Sequence, residues 1–210
     1  MSSGEGEQGD IESLQSACTE ARYTIDQQIE KIHQEDRKAV GIFRVNLLVL
    51  GVLTSGVSFS LRSDDLIATQ FLNAHTVIGA GALIFSSVIA AMAYTSSKFK
   101  LGVNAEPVED AVNDSLTHRD FLEKLSEEYS GWLQYNQRVH DFNANAITWA
   151  MIFAVSGLVL FLGGIAVGIG QVRGDPISYG LLAADILASI IIGIAVYNSD
   201  TIFEKVMEIT

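Results

Sequence analysis

Apolar and polar positions alternate along this chain on two scales. Between Asp10 and Lys38, the residues Ile11, Leu14, Cys18, Ala21, Ile25, Ile29 and Ile32 recur three or four apart. That spacing lines one face of a helix. No Pro or Gly interrupts the stripe, and it runs on into Val45 to Leu61, where no ionisable side chain occurs. One long helix is therefore predicted, leaving a polar region and entering an apolar span at 40–61. A second stripe, Phe121, Leu125, Tyr129, Trp132 and Val139, leads in the same way into an apolar span at 147–170. Thr117, three residues ahead of Asp120, is its expected N-cap. Two further apolar spans, 76–95 and 176–197, lack such an extension. Pro176 suits a first helical turn, where its missing N–H costs nothing.

A helix of twenty residues covers about 30 Å, the thickness of the hydrocarbon core of a bilayer. Four such spans in succession favour a membrane protein over a soluble bundle with unusually apolar helices. The expected fold is all-α, a polytopic bundle of four transmembrane helices with long cytoplasmic helical extensions. Residues 1–9 are expected to be disordered. Residues 10–105 hold one cytoplasmic helix with crossings at 40–61 and 76–95. Residues 106–210 hold a second with crossings at 147–170 and 176–197 and a short tail. Glu5, Glu7 and Asp10 stand where a cleaved signal peptide would carry basic residues.

The halves resemble each other in layout. Asp36-Arg37-Lys38-Ala39 falls over Asp141-Phe142-Asn143-Ala144 at an offset of 105, and Tyr94-Thr95-Ser96 over Tyr197-Asn198-Ser199 at 103. Each half reads as amphipathic helix, crossing, short link, crossing, giving two parallel repeats rather than inverted ones. The two amphipathic stripes need partners, either each other or those of another subunit.

Charge then sets the orientation. Lys and Arg concentrate in the long polar pieces, while the links at 62–75 and 171–175 carry only Arg62 and Arg173. The positive-inside rule places the long pieces and both termini in the cytoplasm, in a cell membrane crossed several times. Asp and Glu nevertheless number 25 against 13 Lys and Arg, for a net charge of −12. So acidic a chain is neither a nucleic-acid binder working through bulk positive charge nor a polybasic lipid-docking device. Its acidity fits a salt-rich cytoplasm, as in a salt-loving prokaryote. The single Cys18 excludes a disulfide framework.

Asp185 is the sharpest chemical signal. Counting from the ends of its span places it near mid-bilayer, where a carboxylate costs about 3 kcal/mol to insert. Thr54 and Ser55 of the first span are closest in depth, so a protonated Asp185 bonded to hydroxyls is expected. Two roles fit it: a proton- or cation-handling carboxylate lining a pore or cavity, or a neutral contact gluing helices together. Arg44 is expected to snorkel to the inner surface or pair with a cytoplasmic carboxylate, and Asn46 to hydrogen-bond across helices. Gly79 and Gly81, and Gly164 and Gly168 at GxxxG spacing, read as close-approach positions. Ser86 and Ser87 are compatible with a pore wall. His33, His75, His118 and His140 are scattered without metal-ligand spacing, and no nucleophile elbow, HExxH or nucleotide-binding motif occurs. No metal, cofactor or enzymatic activity is expected.

Ile25 to Leu61 with Thr76 to Lys100, and Leu125 to Val172 with Pro176 to Lys205, each resemble the two-membrane-helix effector modules called SLATT. That resemblance implies an oligomer that forms a pore or disrupts a membrane when a sensor partner signals, and it assigns no individual residue. The expected function is an oligomeric pore-forming or membrane-effector protein gated through its cytoplasmic helices. A scaffold acting by binding a cytoplasmic protein partner and a proton-coupled small-solute transporter are the alternatives.

Overall fold

The computed structural model describes residues 3–60, 71–96, 98–100 and 116–199. Most of the link expected at 62–75 and the tail from residue 200 lie outside them. The described residues are helical, without a strand, in four elements: α1 (Ser3–Ser60), α2 (Ala74–Thr95), α3 (His118–Gly170) and α4 (Pro176–Tyr197). Each is long and apolar enough to cross a membrane. α1 begins at Ser3, within the nine residues expected to be disordered.

The chain divides into two compact units, Met1–Asp36 with Thr95–Asn143, and Arg37–Tyr94 with Ala144–Thr210. α1 and α3 each contribute to both.

In the first unit the two amphipathic stripes meet each other. Cys18 and Ile25 of α1 pack with Leu122, Leu125, Tyr129 and Trp132 of α3 in one buried cluster. Gln15 Nε2 lies 3.0 Å from His118 Nε2, the Cys18 thiol donates to Leu122 O at 3.6 Å, and the Gln28 amide donates to Leu133 O at 3.3 Å. Partners stay 103 to 105 residues apart along the pair, so the helices run parallel and in register. Buried positions recur every seven residues: Cys18, Ile25 and Ile32 on α1, and Leu122, Tyr129, Asn136 and Asn143 on α3. A strict seven-residue period on straight helices imposes a left-handed supercoil.

Polar residues hold that seam where it loses apolar ones. Asn136, fully buried, accepts from Lys100 N–H at 3.0 Å and donates to Lys100 O at 3.4 Å, strapping the segment after α2 onto the pair. Asn143 accepts from the Ser96 hydroxyl at 3.1 Å. His140 Nδ1 lies 2.6 Å from Glu35 Oε1.

At the start of α3 the expected cap is present and reciprocal. Thr117 Oγ1 accepts from Asp120 N–H at 3.2 Å and donates to Asp120 Oδ2 at 2.7 Å, while Thr117 N–H reaches the same carboxylate at 3.3 Å. This is a capping box with Asp in the Glu position.

In the second unit α2 and α3 pack most closely. A Cβ on Gly79 would lie 2.9 Å from Gly157 O, and one on Gly157 would lie 2.9 Å from Gly79 O. Phe85 meets Phe153 edge-on at 4.8 Å, and Ala39, Ala93 and Ile147 form a small buried cluster. α4 follows α3 through a tight turn in which Gln171 and Gly174 adopt left-handed φ values of 53° and 85°. Gly174 takes that conformation without a Cβ penalty. α4 then lies loosely, with Ser178 its only buried residue.

Candidate functional site

A buried polar cluster forms where the first turn of α2 meets α3 and α4. Asn73 is the N-cap of α2: its side-chain oxygen accepts from Thr76 N–H at 3.2 Å and from the Thr76 hydroxyl at 3.3 Å. Its amide meanwhile donates to Gly164 O at 2.8 Å, so one side chain both starts α2 and fixes it to α3. That cap sets the direction of His75, which is 1% exposed. His75 Nδ1 lies 2.8 Å from Asp185 Oδ2, and Nε2 lies 3.2 Å from Ser178 O, both on α4.

The partners dictate the protons. A backbone carbonyl only accepts, so the ring nitrogen facing Ser178 carries hydrogen. Nδ1 then either carries a second hydrogen, giving imidazolium against carboxylate, or accepts one from a protonated Asp185. Both arrangements hold the same number of protons. Either way one hydrogen lies between Nδ1 and Oδ2.

This geometry corrects one expectation for Asp185. Its partner is His75, not Thr54 or Ser55, whose hydroxyls donate to Leu50 O and Gly51 O of their own helix at 2.8 Å and lie exposed. Its carboxylate reaches the first turn of α2 from the middle of α4. Residue counting ignores both the tilt of helical side chains toward the N-terminus and the offset that the tight turn gives α4 against α2.

Gly163 makes room for the pair. A Cβ there would come within 2.8 Å of Asp185 Cγ and 3.0 Å of His75 Nδ1. Among the glycines singled out from the sequence, Gly79 is a close-approach position, as above. Gly164 backs onto Thr76 and Asn73, and a Cβ on Gly168 would lie 2.7 Å from the Phe71 ring. A Cβ on Gly81 would meet nothing within 4 Å among the described residues, so it is not a close-approach position there. His75, Gly157 and Gly163 were missed. Asn73, an N-cap residue just before an apolar run, was the available signal that His75 belongs to the helix rather than to the link.

Asn46, fully buried, does bond across helices: its amide donates to Ser86 Oγ at 2.7 Å, and Ser86 donates to Ala150 O at 2.6 Å. This relay ties α1, α2 and α3 together. Ser86 is thus inside the packing, and Ser87 donates to Leu83 O of its own helix at 2.8 Å. Arg44 lies exposed on α1.

A groove of about 540 Å³ runs between α2, α3 and α4 with almost wholly apolar walls. Ile78 and Ala82 line it from α2, Phe153 and Leu160 from α3, and Ile186 and Ile190 from α4. Among the described residues no group of three His, Cys, Asp or Glu could hold a metal ion. No family model matches the chain, and neither does any curated protein or solved structure.

Proposed function

We propose that the chain is an integral membrane protein that crosses the cytoplasmic membrane four times, with both termini inside, and assembles into an oligomer. In this reading the His75–Asp185 pair handles a proton or cation on a pathway through the membrane. The parallel α1–α3 coil of the first unit is the cytoplasmic surface through which assembly or a signalling partner acts on it. One observation carries the reading: a fully buried histidine lies 2.8 Å from a carboxylate on α4, the helix least covered among the described residues. Ionisable groups inside apolar spans are expensive, and where they occur paired they mark ion and proton pathways. The uncovered apolar faces of α4 and of the membrane part of α1 suit lipid and a neighbouring subunit alike. The matching layout of the halves supports two parallel repeats, in keeping with the SLATT-like arrangement.

The test is reconstitution in liposomes carrying an internal pH dye. Wild-type protein is expected to dissipate an imposed proton or alkali-cation gradient, and Asp185→Asn to abolish that flux while the protein inserts and assembles normally. Equal flux from Asp185→Asn, or none from wild type under any imposed potential, removes the conducting role and leaves the scaffold reading, in which the coil alone carries activity.

A further inference from the structure

We infer that the His75–Asp185 site takes the proton and no metal cation, with Asp185 as the group that exchanges it and His75 as the residue that positions the carboxylate. The inference rests on the membrane reading above and narrows its ion to one chemical class.

A proton and a metal ion ask different things of a site. A dehydrated metal cation needs a shell of oxygen atoms, on the order of six, converging on one point at about 2.0–2.6 Å. A proton needs one donor and one acceptor at hydrogen-bond distance. His75 Nδ1 and Asp185 Oδ2 are 2.8 Å apart, a gap that a hydrogen fills. No metal ion fits on the line between atoms so close, since its two bonds together span about 4 Å or more. Nor do the oxygens converge. The Ser178 carbonyl, the other oxygen at the ring, faces Nε2 at 3.2 Å. The two nitrogens of an imidazole ring point away from each other, so this carbonyl and the Asp185 carboxylate are held on opposite edges of His75.

The surroundings act in the same direction. On α3, Gly163 brings its backbone against the pair, where a Cβ would come within 2.8 Å of Asp185 Cγ and 3.0 Å of His75 Nδ1. On either side of His75 in sequence, the Asn73 side-chain oxygen accepts from Thr76 and the Asn73 amide donates to Gly164 O, so these polar groups serve the helix start and the α2–α3 contact. Among the described residues no third His, Cys, Asp or Glu joins the pair in a group that could hold a metal ion. Imidazolium against carboxylate, or neutral ring against carboxylic acid, sums to zero charge. An added cation would leave an uncompensated positive charge inside an apolar span.

Exposure then assigns the exchanging group. Asp185 keeps 20% of its side chain exposed, and His75 keeps 1%. The proton leaves from the carboxylic acid arrangement to a water molecule, giving hydronium and leaving neutral imidazole beside carboxylate. Uptake reverses the step.

The ring-nitrogen NMR signals of His75 test this, in full-length protein with isotope-labelled histidine in nanodiscs. They are assigned by their loss in His75→Gln or, should that variant not fold, by correlation to the backbone. Raising the pH from about 5 to about 9 at fixed salt is expected to shift the Nδ1 signal. Exchanging a bulky organic cation for sodium or potassium at fixed pH is expected to leave both ring signals unmoved. Asp185→Asn, with its helix content checked, should move the pH of the response, tying the ring to the carboxylate. A ring signal that shifts with sodium or potassium, an Nδ1 signal without a pH response, or an unchanged response in folded Asp185→Asn overturns the inference. Wild-type protein alone decides the matter if the variants do not fold. Alkali-cation flux in liposomes that Asp185→Asn abolishes overturns the inference and leaves the proposed function standing. A ring that answers to pH and not to salt, in protein that conducts nothing, upholds the proton site while the conducting role falls.

Discussion

Gly79 and Gly157 face each other so closely that a Cβ on either would sit 2.9 Å from the other's carbonyl oxygen. Backbone-to-backbone contact of this kind is how helices associate where no hydrophobic force separates them from lipid. It also fixes the height of α2 on α3, and through Asn73 and His75 the position of the polar cluster.

Enlarging either glycine should force the helices apart. Gly79→Val or Gly157→Leu is expected to lower stability by about 1–3 kcal/mol, read as a fall in the thermal or denaturant midpoint of the purified protein. Gly81→Val, with open space around the position, should stay within about 0.5 kcal/mol of wild type.

The His75–Asp185 pair makes a prediction of opposite sign for single and double changes. His75→Leu leaves a carboxyl in an apolar site without its partner and should cost about 3 kcal/mol. Replacing both residues by Leu removes the desolvation penalty together with the attraction, so the double variant should be more stable than His75→Leu while losing any flux. Unfolding midpoints for the three proteins decide it, and a double variant no better than the single one refutes the pairing.

Ser86 relays a hydrogen bond between Asn46 and the Ala150 carbonyl. Ser86→Ala strands the buried Asn46 amide and should cost about 1 kcal/mol. In a double-mutant cycle with Asn46→Val, the second change should cost almost nothing further. Additive losses would mean that the two side chains do not interact.

Burial raises the Cys18 thiol above its ordinary range. The thiolate is the reactive form, so maleimide should modify native protein at neutral pH at least about tenfold more slowly than denatured protein. Fast native labelling would show that the α1–α3 seam opens at that position.

Hydrogen bonds from the Thr117 hydroxyl and backbone amide hold Asp120 below the usual carboxylate range, with smaller help from Arg119 and Lys124. The unfolded group titrates near about 3.9, so the cap contributes fully above that value. Its contribution falls as pH drops toward the lower folded value and is gone beneath it. Amide exchange at 118–122 should therefore accelerate in acid relative to the rest of α3, beyond the intrinsic pH effect, and Asp120→Asn should abolish the difference.

Two kinds of information were separable in this chain. Period and length were local, so the four apolar helices, the continuity of α1 and α3 across their polar and apolar parts, and the Thr117 cap were all readable from sequence. The stripes announced that they needed partners, and Trp132 was legible as a core residue. Their choice of each other, parallel and in register, was a tertiary fact, because a stripe specifies a buried face and not what buries it.

The same limit governed the site. Hydrophobicity alone determined that Asp185 stands in an apolar span and must answer for its charge. Which residue answers depends on the offset of α4 against α2, and that offset is set by a five-residue turn, by the contact of two glycines and by the asparagine that starts α2. Counting along a helix gives depth for a Cα. Only packing decides where a side chain ends, and here it brought a histidine from the rim of one helix to a carboxylate nine positions into another.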